Sequence, residues 1–379
     1  MLAIIRKLEY NNTNGLKAEL YMLYYISAKE AAEKWNISQR RVAVLCAEKR
    51  IEGAMMVGNV WIIPSEAEKP VDKRTTRYEE TRRKELKPFV KWVGGKSQLV
   101  EELEKYILSS KGVCKRKYAE PMVGGGALFF DVLARYSFEE YYISDVNPEL
   151  INAYNIIREK VEPLIERLQD MQMTFLPMDA SGRKYFYYSL REKFNRLSLR
   201  SDTALEKAAD FIFLNKTCFN GLYRVNRKGL FNVPMGSYKN PKICDEENLR
   251  DIHEALQKVE IVCGDYTLSK SFIDEDTFVY LDPPYRPISE TSAFTSYNRE
   301  TFDDEEQRRL AAFIKEITDM HAKVVLSNSD PKNINEEDNF FDELYQGYQI
   351  KRVSASRMIN SNAERRGKIK ELIICNQEE

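Results

Sequence analysis

This chain has no C-x-x-C pair, and its six cysteines (Cys46, Cys114, Cys218, Cys244, Cys263, Cys375) are scattered along it. That scatter favours reduced thiols over a disulfide framework or a thiolate zinc site. Histidine is scarcer still: His253 and His321 each lack a nearby Cys or His. Zinc-assisted hydrolysis and Ser-His-Asp chemistry therefore find no support. No apolar run approaches the length of a membrane span. The opening "MLAIIRKLEY" has too short an apolar core for a secretory signal and no small-residue cleavage site, so a cytoplasmic location is expected. Charge of one sign is also lacking. The formal net charge is −1 over 379 residues, which leaves local patches to decide any affinity for a nucleic acid. What is there is ordinary for a folded chain: 43% hydrophobic and 31% charged residues, enough for a large domain and a smaller one.

Three stretches follow from composition and periodicity. Residues 1–68 read as a helix-turn-helix-like module. Within "YISAKEAAEKWNISQRRVAVLCAEKRI", Ser27 and Glu30 form a capping box, "WNIS" makes the turn, and Ser38 caps a second helix. "GAMMVGNVWIIP" then predicts a hairpin with Gly58-Asn59 at its tip. The unit resembles DNA-binding modules of the MerR and excisionase type, and a helical adaptor without nucleic-acid contact stands as the alternative. Residues 69–87, with eight basic and four acidic side chains, read as a charged linker. Residues 88–379 form the large domain, in which strands alternate with helices. This pattern predicts an α/β fold with a doubly wound, mainly parallel sheet, interrupted by an inserted helical lobe at about 155–260.

The chemistry-bearing residues sit where such a sheet places ligands, at the carboxyl ends of strands. In "KYAEPMVGGGALFF" the glycines Gly124 to Gly126 let backbone approach a ligand at a helix start. Asp145 follows Gly126 by nineteen residues at the end of the next strand, where an acid suits ribose hydroxyls. The G-x-G-x-x-G pattern is not matched, which disfavours a dinucleotide and favours a nucleoside such as S-adenosylmethionine. Asp265 in "VCGDY" ends another strand, where it either takes the cofactor's adenine amino group or makes an ordinary turn. "FVYLDPPYRP" ends a buried strand on Asp282, Pro283 and Tyr285. The Asp282 carboxylate and the Pro283 carbonyl are both acceptors, suited to the two hydrogens of an exocyclic amino group, and Tyr285 offers a stacking face. Acceptors that draw such a nitrogen towards tetrahedral geometry expose its lone pair to a sulfonium methyl. A base inside a duplex reaches the pocket only when flipped out.

With "FVKWVGGKSQL", "EPMVGGGALFF", "SDVNPELINAY", "LNKTCFNGLYRVNRKGLFNVPMGSYKNP", "LDPPYRP" and "SNAERRGKIKELII" in this order, residues 88 to 375 resemble the Dam-type (D12 class) DNA adenine-N6 methyltransferases. The resemblance implies an S-adenosylmethionine-dependent methyltransferase fold and no metal. It implies a cofactor set of Trp92, Lys96, Glu120, Gly124, Gly126, Asp145, Asp265 and Asp282, although Lys96 equally suits a phosphate. Asp282, Pro283 and Tyr285 would hold the target adenine. Phe219 would wedge into the base stack where relatives often carry a tyrosine, with Asn220, Leu222, Arg224 and Pro234 completing the DNA contacts. GATC is the expected site, within a restriction-modification system beside a cognate endonuclease or as an orphan methylase.

Residues 207–242 carry seven basic side chains against one acid, and residues 180–200 carry six basics against Glu192. Basic clusters interleaved with aromatics are the expected footprint on double-stranded DNA, though 180–200 also reads as a solvated helix. Two other functions compete with adenine methylation. One is cytosine-N4 methylation, which usually has Ser in place of Asp282. The other is a DNA-binding regulator carrying a decayed methyltransferase body, which the intact motifs disfavour.

Overall fold

A computed structural model describes residues 2–5, 22–35, 38–47, 50–51, 53–58, 60–65, 67, 86–92, 99–109, 115–286, 302–356 and 368–376. Lys96, most of the charged linker, the segment after "DPPYR" and most of "SNAERRGK" lie outside these residues. The chain divides into two units, Met1–Arg83 and Lys84–Glu379.

In the first unit, β1 (Leu2–Ile5), β2 (Met22–Ser27), β3 (Met55–Val57) and β4 (Val60–Pro64) form an antiparallel sheet in the order β1-β2-β4-β3. Helices α1 (Ala28–Trp35) and α2 (Gln39–Ala47) share a core with it through Ala31, Trp35, Val42, Leu45 and Ile63. The capping box forms: Ser27 N donates to Glu30 Oε2 at 2.7 Å, and Glu30 N donates to Ser27 Oγ at 3.2 Å. The β3–β4 hairpin turns at Gly58, with φ of 59°, as its sequence implies. β1 and β2 were not anticipated. β2 is the aromatic-rich "MLYYIS", whose strand preference runs without a break into the α1 cap.

Side-chain alternation builds the second unit. β5 (Lys117–Pro121), β6 (Glu140–Asp145), β7 (Val259–Cys263), β8 (Thr277–Leu281), β9 (Lys323–Ser329), β10 (Gln349–Ser356) and β11 (Lys368–Cys375) form one sheet, ordered β10-β11-β9-β8-β5-β6-β7. The pairs β5–β6, β6–β7, β5–β8 and β8–β9 are parallel, whereas β11 lies antiparallel between β9 and β10. Tyr118, Tyr141, Ile143, Phe278 and Tyr280 point into one apolar cluster, and Ala119, Tyr142, Val279 and Leu281 point into another. This two-residue period fills both faces of the sheet, which is why β8 is buried along its whole length.

α4 (Ala127–Arg135) and α5 (Pro148–Glu159) follow β5 and β6. Between α5 and β7 come α6 (Val161–Phe175), α7 (Ala180–Arg196), α8 (Ala204–Thr217), a looped hairpin and α9 (Glu246–Leu256). α3 (Val100–Ser109) precedes the sheet, α10 (Asp304–Asp319) leads into β9, and α11 (Phe340–Leu344) precedes β10. From β5 the chain builds outward to β7, then returns to start β8 on the other side of β5. The crevice at the carboxyl ends of β5 and β8 is therefore the topological switch point. Among the described residues no helix is long and apolar enough to cross a membrane.

Candidate active site

The strand-tip acid sits at this switch point. Asp282 follows the last residue of β8 and is half-buried, Pro283 is buried, and Tyr285 is half-buried. Ser327, on the neighbouring strand, donates its Oγ hydrogen to Asp282 Oδ1 at 3.1 Å. The same hydroxyl shares a 2.8 Å hydrogen bond with the buried Tyr280 phenol. Burial, followed by the nearby Asp282 charge, holds that phenol well above the ordinary tyrosine range. Pro284 O accepts from Gln307 Nε2 at 3.3 Å. The carboxylate and its turn are thus oriented from two other elements.

Glu120 lies in the adjacent strand β5, fully buried, with Oε2 accepting from Tyr118 OH at 2.6 Å. Burial pushes its carboxyl up to about 8. The Tyr118 hydrogen bond opposes the rise, and the Asp282 charge reinforces it.

The glycine turn leaves β5 in strained backbone. Met122 has φ of 83°, and Met122 N and Val123 N both donate to Ser144 O. Gly124 and Gly126 occupy the left-handed region at φ of 50° and 71°, which explains why glycine stands there. A Cβ on Gly124 would come within 2.8 Å of the Trp92 ring, and one on Gly126 within 2.6 Å of Tyr154 OH. Asp145 closes β6 half-buried: Oδ2 accepts from Gly124 N at 3.0 Å and Oδ1 from Asn147 N at 2.9 Å. Desolvation raises its carboxyl while these two N–H groups lower it.

Asp265, past the end of β7, caps a short turn through Thr267 and makes a two-oxygen ion pair with Arg309 at 2.8 and 3.1 Å. Desolvation pushes Asp265 up, but the Thr267 and Arg309 hydrogen bonds outweigh it and hold the carboxyl below its usual range. Glu120, Asp145 and Asp265 thus mark the ends of three neighbouring parallel strands around one glycine turn. Such a donor set fits a nucleoside bearing vicinal hydroxyls and an ammonium group.

The DNA-contact residues inferred from the sequence also come together. Phe219 N donates to Pro234 O at 2.8 Å, and Gly236 N to Thr217 O, so the two ends of the loop pair. Phe219 is half-exposed, and Asn220 adopts φ of 54°. Leu222 follows in extended backbone. Arg224 begins a hairpin whose tip is Asn226–Gly229, and its Nε donates to Asn232 Oδ1 at 2.8 Å.

The basic count on α7 overstates what faces outward. Arg183 donates to Lys239 O and Leu176 O, and Arg191 to Val233 O. Lys193 pairs with buried Asp210, and Arg196 with Glu192. Of the five basics on α7, Arg183, Arg191 and Lys193 are drawn to backbone carbonyls or a buried acid, while Arg196 makes an exposed surface pair.

Sequence reasoning missed Ser327, Tyr280, Gln307 and Asn215. Asn215 grips the backbone of Lys91 from both sides at 2.8 Å, which docks Trp92 against the glycine turn and stacks it on Tyr223 at 5.6 Å. Their signal was weak, because each takes its role from a partner distant in the chain or from a pairing register.

A family model described as D12 class N6 adenine-specific DNA methyltransferase matches residues 92–359. A Type II methyltransferase of Methanocaldococcus jannaschii is 46% identical over 294 residues, covering 77% of this chain and 99% of its own length. A Type II methyltransferase of Lactococcus lactis subsp. cremoris is 38% identical, covering 77% and 95%. A DNA adenine methylase of Haemophilus influenzae is 37% identical, covering 76% and 92%.

Proposed function

This chain belongs to the D12 class of N6 adenine-specific DNA methyltransferases, and from that premise we propose which of its residues carry the transfer and which sequence receives it. The reaction moves a methyl group from S-adenosylmethionine to N6 of adenine in DNA. The donor supplies an electrophilic methyl on a sulfonium sulfur; Trp92, Glu120, Gly124, Gly126, Asp145 and Asp265 are the residues proposed to hold it.

Asp282 and the Pro283 carbonyl accept the two amino hydrogens of a flipped adenine, and Tyr285 stacks on its ring. That grip turns the nitrogen lone pair out of the ring system. Once methylated, the nitrogen carries one proton too many and loses it readily. The observation that supports this assignment best is the Ser327 hydrogen bond to Asp282 Oδ1, which aims a half-buried carboxylate at the switch point. Phe219, Asn220, Leu222, Arg224 and Pro234 form the proposed reading surface.

GATC is the proposed site. The support is the "CFNGLYRVNRKGLFNVPMGSYKNP" loop, which resembles that of GATC-specific members, with Phe219 and Arg224 paired across it to Pro234 and Asn232. Likeness to Type II methyltransferases supports a restriction-modification setting, and likeness to DNA adenine methylases supports an orphan enzyme. The N-terminal module, residues 1–68, is proposed to dock on DNA or a partner protein.

Plasmid DNA incubated with the enzyme and methyl-labelled donor, then digested to nucleosides, tests the assignment. N6-methyl-2′-deoxyadenosine, confined to one sequence on methylation-sensitive sequencing, is expected. N4-methylcytosine alone, or no incorporation by folded protein, would overturn it.

A further inference from the structure

We propose that Arg286 is a positioning residue for methyl transfer, fixing the direction of Tyr285 and of the Pro-Pro turn through a three-point clamp. The inference rests on the reading that Asp282 to Tyr285 hold the target base. Arg286 directly follows Tyr285. Its Nε and Nη2 donate to Asp304 Oδ1 and Oδ2 at 2.5 and 2.9 Å, and its Nη1 donates to Asp338 Oδ2 at 2.7 Å. The guanidinium lies over the Phe340 ring, 4.2 Å from its centre. All these contacts use the planar fork, a shape an ammonium group cannot reproduce.

Asp338 is held independently of Arg286, and Asp304 is placed by its helix backbone. Asp304 is the first residue of α10, where the helix dipole favours an acid. Asp338 Oδ1 accepts from Phe340 N at 3.1 Å. One turn into α10, the buried Gln307 holds Pro284 O, and its Oε1 accepts from Asn328 Nδ2 of β9 at 3.4 Å. The turn is therefore held at Asp282 by Ser327, at Pro284 by Gln307 and at residue 286 by the ion pairs.

The last of these matters because of what proline leaves undetermined. Two prolines set φ at 283 and 284 only. The torsion after Pro284 and both torsions of Tyr285 are further constrained by the side-chain clamp on the next residue, Arg286. Stability accounts for only part of the clamp: the Asp304 side chain is 46% exposed, so that arm contributes little, while the Asp338 side chain is better enclosed at 24%. What a rigid fork between two pre-set acids supplies is direction. A reacting group misplaced by about 1 Å is enough to cost on the order of a hundredfold in rate.

The test uses full-length Arg286→Ala, Arg286→Lys and Asp338→Asn, with Asp282→Ala as control. Four quantities are measured: single-turnover transfer, donor affinity by calorimetry, DNA affinity by gel shift, and fluorescence of 2-aminopurine at the target position. Arg286→Ala is expected to slow transfer roughly 30- to 100-fold while both affinities stay within about threefold. The 2-aminopurine should brighten, because its stack on Tyr285 loosens, and Arg286→Lys should recover only a small part of the rate. If Arg286→Ala does not fold, Asp338→Asn removes one arm alone and is expected to slow transfer about fivefold with unchanged affinities. A rate within threefold of wild type in a folded Arg286→Ala, a rate loss matched by lost donor binding, unchanged 2-aminopurine fluorescence, or an unchanged Asp338→Asn rate would each overturn the proposal. An active Asp282→Ala would instead remove the reading beneath it, so the two failures are separable.

Discussion

Replacing Glu120 by Gln should change how stability responds to pH, and the structure gives both sign and size. Glutamine keeps the shape and an oxygen to accept from Tyr118 OH, so the packing of β5 survives the change. It removes a carboxyl that burial holds at about 8, against 4.5 for the exposed group. Below pH 4.5 both folded and unfolded chains bind this proton, and the stabilising contribution is fully present. Above it the unfolded chain releases the proton while the folded chain keeps it, so stability falls as pH rises towards the folded value. At about 1.4 kcal/mol per pH unit the loss accumulates to roughly 4 kcal/mol by pH 8.

The wild-type protein should therefore lose ground to Glu120→Gln steadily between pH 5 and 8, then run parallel to it. Urea unfolding of the donor-free proteins at pH 5, 6.5 and 8, followed by far-ultraviolet circular dichroism, measures the gap. A gap that changes by less than about 0.5 kcal/mol across that window would show that Glu120 ionises normally, and the burial argument would be wrong. The same protonated acid bears on donor binding. If Glu120 pairs with the donor's ammonium, binding near pH 7 must release a proton. Calorimetry in buffers of different ionisation enthalpy should detect that release in wild type and not in the variant.

Three further outcomes follow from the site. Asp282→Ala should lower single-turnover transfer by at least about a hundredfold, as removal of an aimed electrostatic partner does, while leaving gel-shift affinity largely intact; equal losses in both would place Asp282 in DNA binding instead. Arg224→Ala should relax base choice at one position by about 1–3 kcal/mol, and methylation-sensitive sequencing that returns an unchanged site would exclude a reading role. Gly124→Ala forces a side chain into left-handed backbone and to within 2.8 Å of Trp92, so donor affinity should fall at least tenfold on calorimetry, and an unchanged affinity would count against the glycine turn as its seat.

The residues that were legible in the sequence carry their meaning locally. Asp282, Pro283 and Tyr285 are consecutive or nearly so, and an acid after a strand-forming run before two prolines needs no partner to be noticed. The same holds for the Gly124 turn and for Asp145. Ser327 became meaningful only through register: Leu281 pairs with Leu326, which sets Asp282 beside Ser327. Gln307 and Asn215 depend likewise on where α10 and α8 pack.

The parallel core was readable from strand-helix alternation. The antiparallel β11 was not, because it pairs with β9 some forty residues back and nothing local marks direction. Charge counting was a coarse guide on α7 for a related reason. A count cannot distinguish an arginine that faces solvent from one that donates to Val233 O.

The segment 86–92 explains why the reading loop and the transfer site sit in a fixed relation. Gly221, at the base of the reading loop, has φ of 64°, and a Cβ there would fall within 2.4 Å of the Lys91 side chain. Asn215, at the end of α8, holds both the Lys91 backbone and Gly221 O. One residue on, Trp92 stacks on Tyr223 of the reading loop and packs against Gly124 and Gly125. Reading loop, Lys91–Trp92 and glycine turn are therefore one continuous packed body. That continuity sets the distances between the three. On the proposed roles of these residues, a base presented by the loop would be delivered at a distance from the glycine turn set by packing, and with placement supplied in that way a carboxylate and a proline carbonyl suffice as acceptors.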